Sequence, residues 1–325
     1  MGYQEVKFPK NTKILVTGGA GFIGSNICDA LIDKGVNVIC LDNFSTGKRD
    51  NIKHLLNNPN FSLIEGDVVS LDTCLESSKD VDYIIHQAAW GSVPRSIEMP
   101  LFYEKNNVLG TMNIFEAARI NKVKKVVYAS SSSVYGDSPI LPKKEGMEGK
   151  VLSPYALTKR MDEEYARLFY SLYGVKSIGL RYFNVFGRRQ DPNGQYAAVI
   201  PKFVSACLRN EVSYINGDGS YSRDFTYIDN VIEANMKALL YSDERSYGRA
   251  FNVAYGGQVT ITQLYSCIAK LLHCELKPIY RENRPGDIPH SNADVRDAKE
   301  YFGYNPSYSF DEGIKLAIDW YKNNI

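Results

Sequence analysis

Tyr155 and Lys159 stand four residues apart in the segment SPYALTK. On a helix this spacing puts both side chains on one face. An ammonium beside a phenol favours the phenolate, which lets a tyrosine act as a base near neutral pH. The same lysine can hydrogen-bond a ribose. The pattern is common: Tyr3 and Lys7 repeat it before the first strand, where no catalytic site is expected. Position sets Tyr155 apart, because it follows the hydroxyl run Ser130-Ser131-Ser132-Ser133-Val134-Tyr135-Gly136. That run comes directly after a strand expected at 125–129, and ligands bind at the carboxyl ends of parallel strands. A hydroxyl there can hydrogen-bond a reacting alcohol. The plainer use is a serine-rich loop that caps a helix.

A second group of residues suits a dinucleotide. TGGAGFIG reads as GxxGxxG from Gly18 or as GxGxxG from Gly19. Small residues allow a tight turn and a close approach of backbone to pyrophosphate. The helix N-terminus behind them supplies N–H donors and a favourable dipole. A glycine-rich match alone is weak, but here a strand precedes it, a helix follows it and an acidic residue is in place. That residue, Asp42, ends the second strand and can accept from the adenine-ribose hydroxyls. Its charge repels a 2′-phosphate, so NAD is expected rather than NADP. Lys48 and Arg49 are close enough in sequence to weaken that preference. Asp67, after the third strand, can accept from an adenine amino group or cap the next helix.

These residues need a scaffold that gathers strand ends. β-Branched and apolar runs at 13–17, 36–42, 61–65, 83–86, 125–129 and 177–180 alternate with helical patterns. Among the latter are 22–34, 155–173 and, expected to be the longest, 101–121. Strands apolar on both faces and separated by helices predict an α/β fold, a Rossmann-type doubly wound parallel sheet. After about residue 186 polar, Gly-rich turns (GRRQDPNG, NGDGSYS) break the alternation. The expectation is an NAD-binding domain over 1–186 and a smaller α/β substrate lobe over 187–325, with some exchange of chain between them. An amphipathic helix is expected at 309–323. No linker separates the lobes, so they should share a cleft.

A formal net charge of +1 over 325 residues argues against a nucleic-acid or membrane-surface partner. No segment is apolar enough to span a bilayer, and the opening MGYQEVKFPK lacks a signal-length apolar run. The six cysteines form no CxxC pair and several lie in apolar runs, as suits free thiols in a reducing cytoplasm. The four histidines show no metal-ligand spacing, so no metal is expected.

Together these segments resemble the extended short-chain dehydrogenase/reductase family, and within it the UDP-sugar 4-epimerases acting on UDP-GlcNAc and UDP-GalNAc. The similarity runs over nearly the whole chain, through TGGAGFIG, LDNFSTG, GDV, HQAAWGSVPRS, SSSSVYGD, SPYALTK, LRYFNVFGRRQDPNG, YINGDGSYSRDF and RPGDIPHSNAD. GSVPRS and RRQDPNG most resemble the subgroup for UDP-N-acetylhexosamines and their uronic acids. The resemblance implies a cytoplasmic enzyme with tightly bound NAD, and a homodimer formed through the two long helices.

It implies Ser131 and Tyr155 as the catalytic pair, with Lys159 as partner. Cofactor contacts implied are Gly18, Gly21, Phe22, Ile23, Asp42, Asn43, Ser45, Gly47, Asp67, Val68, Gln87, Ala89, Tyr155 and Lys159. Uridine-diphosphate contacts implied are Asn184, Ala198, Val199, Tyr214, Asn216, Arg223, Arg284 and Asp287. Two arginines suit a pyrophosphate, since the guanidinium fork binds phosphate oxygens bidentately. Gly91, Ser92, Ser131, Ser132, Ser133 and Gln190 are candidate sugar contacts. Ser291, four residues after Asp287, matches a gatekeeper position that is bulky where only UDP-glucose and UDP-galactose fit. A serine there leaves room for an acetamido group.

Trp90 departs from the pattern, because the subgroup more often has a smaller aliphatic residue there. It either reshapes the pocket or packs under the loop, and so leaves a uronic acid substrate open. A dehydratase would want acidic residues where Ser132 and Ser133 stand. A C6 dehydrogenase would want a cysteine nucleophile. A non-catalytic NAD-binding protein would usually have lost Tyr155 or Lys159.

Overall fold

Alternate residues of the first two strands go to opposite sides of one sheet. β1 (Lys13–Thr17) places Ile14 and Val16 in one apolar cluster and Leu15 in another. β2 (Asn37–Asp42) likewise divides Val38 and Cys40 from Ile39 and Leu41. Strands buried on both faces belong in a parallel sheet covered by helices on either side. The computed structural model describes residues 2–192, 198–283 and 288–324.

The sheet also contains β3 (Phe61–Glu65), β4 (Tyr83–His86), β5 (Lys125–Ser131), β6 (Ser177–Tyr182) and β11 (Arg249–Val253). Its order is β11-β6-β5-β4-β1-β2-β3, with every pairing parallel. The winding reverses between β1 and β4, and the crevice outside their carboxyl ends is where such sheets bind ligands. β5 and β6 run two residues further than expected, because Ser130 pairs with Arg181 and Ser131 with Tyr182. Ser131 is thus the last residue of a strand, held on a rigid element. The seventh strand, β11, comes from beyond residue 186 and pairs with β6 from Arg249 to Val253.

Helices α1 (Phe22–Asp33), α2 (Leu71–Ser77), α3 (Val93–Glu98), α4 (Pro100–Tyr103), α5 (Gly110–Ile120) and α6 (Pro154–Tyr173) follow in the first part of the chain. The helix expected at 101–121 is three joined pieces: α4, a π-helical turn at Glu104–Leu109, and α5. A π turn holds an extra residue and often marks a functional site. Buried in this one, Asn107 accepts from the Trp90 N–H at 2.9 Å and donates to the Trp90 carbonyl and to Thr158 Oγ1, each at 3.1 Å. The longest unbroken helix is therefore α6, with 20 residues. Ser153 caps its first turn, Pro154 takes the first helical position, and Gly174 ends it at φ +70°.

The rest forms small sheets and helices over the cleft. β7 (Val185–Phe186) pairs with β10 (Thr226–Tyr227), and β8 (Tyr214–Asn216) with β13 (Ile279–Arg281). β9 (Ser222–Arg223) lies between β12 (Val259–Thr260) and β14 (His290–Ser291). Helices α7 (Val199–Leu208), α9 (Ile261–Leu272), α10 (Arg296–Phe302) and α11 (Phe310–Asn324) surround them, α11 being the terminal helix expected at 309–323. α8 (Ile228–Tyr241) packs back onto β5 and β6 of the main sheet. Among the described residues no helix is long and apolar enough to cross a membrane.

Candidate active site

The turn after β1 is possible only with glycine. Gly18 has φ +65°, and a Cβ there would lie 2.7 Å from the Ala88 nitrogen. A Cβ on Gly24 would lie 2.1 Å from the Gly18 oxygen. Gly21 caps α1 without a side-chain hydrogen bond, so the first-turn N–H groups are left for an anion. This cradle fits a dinucleotide pyrophosphate.

Asp42 ends β2. Its Oδ2 accepts from the Ala20 N–H at 2.9 Å and its Oδ1 from the Phe44 N–H at 2.8 Å. Burial pushes its pKa up, and the two N–H donors oppose that. Its remaining lone pairs suit ribose hydroxyls. Asn43 donates to Asp67 Oδ2 at 2.9 Å, joining the ends of β2 and β3. Asp67 does not cap the next helix, since Ser70 does. Lys48 is paired with Asp191 at 2.7 Å and Arg49 with Glu65 at 2.5 Å. Both pairs are solvent-exposed and weak, so the preference for NAD rests on the Asp42 carboxylate.

The catalytic candidates converge at the carboxyl end of β5. Ser131 Oγ accepts from the Ser133 N–H at 3.2 Å, which leaves its own proton to donate. Ser133 Oγ is buried and, among the described residues, has no hydrogen-bond partner. Tyr155 sits in the first turn of α6, with the edge of its ring against Tyr103 at a centroid distance of 6.3 Å. Lys159 Nζ donates to the Ala129 carbonyl at 2.9 Å and to Asp162 Oδ2 at 3.1 Å. Beneath them His86 lies between Thr17 Oγ1 at 2.6 Å and Thr111 Oγ1 at 3.1 Å. Burial, with the Lys159 charge second, drops its pKa to about 3 and keeps it neutral.

All three catalytic candidates line one cleft of about 1360 Å³. Gly18, Gly21, Phe22, Ile23, Asp42, Asn43, Ser45, Asp67, Val68, Gln87 and Ala89 line one end. Gly91, Ser92, Ser132, Ser133, Asn184, Gln190, Arg223 and Ser291 line the other. Gln87 donates to Tyr182 Oη at 3.0 Å, tying the cofactor end to β6. Trp90 sits at the junction of the two alternatives. It lines the cleft, and it packs on Phe102 with Arg95 stacked 4.4 Å from its ring.

Five of the expected contacts are not brought to the cleft wall. Gly47 packs against the Asp42 carboxylate, where a Cβ would be 2.8 Å from Oδ1. Ala198 and Val199 start α7, and Tyr214 and Asn216 sit on β8, whose partner β13 carries Arg281 over the Tyr214 ring. α7 reaches the cleft wall through Lys202, one turn further on, and β8 lies in the small lobe away from the strand ends of the main sheet. Arg284 and Asp287 lie outside the described residues.

Reasoning from sequence missed Lys143 and Lys202 in the cleft wall and Asp162 beneath it. Only Asp162 had a readable signal, its i+3 spacing from Lys159.

The model of the NAD dependent epimerase/dehydratase family matches residues 14–254. A putative UDP-glucose 4-epimerase of Methanocaldococcus jannaschii is 40% identical over 313 residues, covering 96% of this chain and 99% of that one. The solved UDP-N-acetylglucosamine 4-epimerase from Methanobrevibacter ruminantium M1, in complex with UDP-N-acetylmuramic acid, is 41% identical with a TM-score of 0.91, over 98% of this chain and 100% of that one. The UDP-glucuronic acid 4-epimerase from Bacillus cereus, in complex with UDP-glucuronic acid and NAD, is 30% identical with a TM-score of 0.89, over 97% and 100%.

Proposed function

The chain belongs to the NAD dependent epimerase/dehydratase family, and from that premise we propose that this UDP-sugar 4-epimerase interconverts UDP-GlcNAc and UDP-GalNAc through a transient 4-keto sugar. The observation that carries the reading is the convergence of Ser131, Tyr155 and Lys159 in one cleft whose wall also includes the small Ser291.

Gly18, Gly21, Asp42, Asp67 and Lys159 would hold NAD, which when bound accepts hydride at C4 and returns it. Tyr155, as phenolate, takes the C4 hydroxyl proton and later gives it back. Ser131 donates to O4, since its oxygen already accepts from Ser133. Inversion requires the keto sugar to turn over while its diphosphate stays held. Arg223, with Arg284, suits the anchor. Gly91, Ser92, Ser132, Ser133 and Ser291 are small and leave the ring room to turn.

The test is proton NMR of purified protein with UDP-GlcNAc, UDP-glucose and their uronic acids, without added NAD. The galacto epimer from UDP-GlcNAc supports the proposal. Epimerisation of a uronic acid alone favours the second reading, a UDP-N-acetylhexosaminuronate or UDP-glucuronate 4-epimerase. One observation favours that reading. Lys143 is a buried cation in the cleft wall that donates to the Ser138 carbonyl and, among the described residues, meets no carboxylate. A sugar carboxylate would supply one. No epimer from any of the four sugars rejects both.

We also propose the division at residue 186, a cytoplasmic setting and a homodimer formed through the two long helical stretches. Leu101 (81% exposed), Leu157 and Leu172 put apolar surface on those stretches. Light scattering of the Leu157→Glu variant tests the dimer; an unchanged dimer mass moves the interface elsewhere.

A further inference from the structure

Tyr155, Lys159 and Asp162 occupy positions i, i+4 and i+7 of α6, one stripe along a single helix face. Lys159 and Asp162 are both fully buried, with Asp162 Oδ2 at 3.1 Å from Lys159 Nζ. The second carboxyl oxygen, Oδ1, is buried and has no donor within ordinary hydrogen-bond distance among the described residues, though the Thr111 hydroxyl is directed at the carboxyl. Exposed ion pairs on a helix are common and nearly neutral in energy. This one lies out of water, directly on the lysine that the chemistry uses.

The surroundings leave Asp162 as the acidic group in direct contact with that lysine. On its own helix the neighbouring Glu163 is paired with Arg181 of β6 at 2.7 Å and accepts from Ser130 of β5 at 2.6 Å. β5 also contributes the neutral Tyr128 phenol, held protonated by burial. β4 contributes His86, also neutral, and α5 the Thr111 hydroxyl, which faces the Asp162 carboxyl. Burial raises the Asp162 pKa to about 6 against the pull of Lys159, so the group is mostly ionised at neutral pH.

We propose that Asp162 is a positioning residue for the Tyr155–Lys159 pair: its carboxylate holds the ammonium in place and partly cancels its charge, raising the pH at which Tyr155 becomes a phenolate. The proposal rests on Tyr155 being the base. Tyr155 is one helical turn from Lys159 and about 10 Å along the axis from Asp162, and it faces the Tyr103 phenol of α4, kept protonated by burial, with Arg95 of α3 beside that phenol. The nearer ammonium dominates and the carboxylate trims its effect. The trim suits a reaction in which one phenol must both take a proton and give it back. Too acidic a phenol would not return it.

The experiment is a phenolate absorbance titration near 295 nm on the holoenzyme, with Tyr155→Phe as the blank, beside the pH profile of kcat/KM. Asp162→Asn removes the charge and keeps the shape. The phenolate of Tyr155 is expected to appear about one pH unit lower, and the acid limb of the profile to move with it. Asp162→Ser must shift both the same way, which guards against a packing artefact of one variant. An unmoved titration and acid limb in both variants would overturn the proposal and leave Asp162 a structural residue. If Tyr155→Phe instead retains turnover and removes no titrating phenol, the assignment of Tyr155 as base falls, and this inference with it.

Discussion

At the cofactor end of the cleft a Cβ on Gly24 would lie 2.1 Å from a backbone oxygen, whereas at the sugar end a Cβ on Gly91 would meet nothing within 4 Å. The first end is assembled from the carboxyl ends of adjacent strands β1 to β4, with residues 18 to 89, and its shape is set by backbone. The second draws on residues 91 to 291, from loops, α3, β14 and the ends of β5 and α6, and mixes the small Gly91, Ser92, Ser132, Ser133 and Ser291 with longer polar side chains such as Gln190 and Arg223. The contrast matches two tasks. One ligand has to stay in a single orientation, while the other has to turn over.

The largest effect separates chemistry from both ends. Tyr155→Phe should lower kcat by about 10²- to 10⁴-fold while bound NAD, read from the absorbance of the purified protein, stays at wild-type level. Full turnover would remove the catalytic constellation from the comparison.

The next bears on the contrast itself. Gly24→Ala should strip NAD from the protein and lower stability by about 1–3 kcal/mol, since backbone has to move. Gly91→Ala should leave NAD content and melting temperature near wild type, with a change within about 0.5 kcal/mol. Equal losses in the two variants would mean that the sugar end is as tightly built as the cofactor end.

A smaller effect probes the room at the sugar end. Ser291→Tyr should lower kcat/KM for UDP-GlcNAc by about 10- to 100-fold relative to UDP-glucose. An unchanged ratio would mean that Ser291 does not face the acetamido group.

A last effect, absent at neutral pH and growing only as pH falls, concerns the floor beneath the cofactor end. His86 has a pKa of about 3 in the fold, well below its ordinary 6.5. As pH falls below 6.5 the unfolded chain binds the proton first, so stability present above 6.5 is lost towards pH 3. Replacing His86 with Gln should flatten that decline by up to about 1.4 kcal/mol per pH unit. Denaturant midpoints taken between pH 7 and 4 check it, and parallel declines would refute it.

The cofactor end was legible because its signals are short. A glycine turn between a strand and a helix, and a carboxylate ending the next strand, are features of local backbone. Tyr155 and Lys159 were readable for the same reason, since i, i+4 spacing holds wherever the helix is placed. The helix at 101–121 was read as one piece. Its π turn comes with contacts between Asn107 and Trp90, 17 residues away, which no local pattern reveals. β11 was missed as a member of the main sheet because pairing to β6 is decided some 70 residues away.

By itself, then, the sequence determined the strand–turn–helix that receives a dinucleotide, the helix face carrying Tyr155 and Lys159, and the alternation that makes a parallel sheet. These depend on φ, on side-chain periodicity and on apolar patterning, all short-range. Tertiary structure alone decided that Lys48 and Arg49 have carboxylate partners, that Lys143 joins the cleft wall, and that Ser291 shares a cleft with Ser131. Arg49 meets Glu65 because β3 pairs with β2, and the other pairings join residues far apart in the chain that only the packing of the lobes against the sheet brings together.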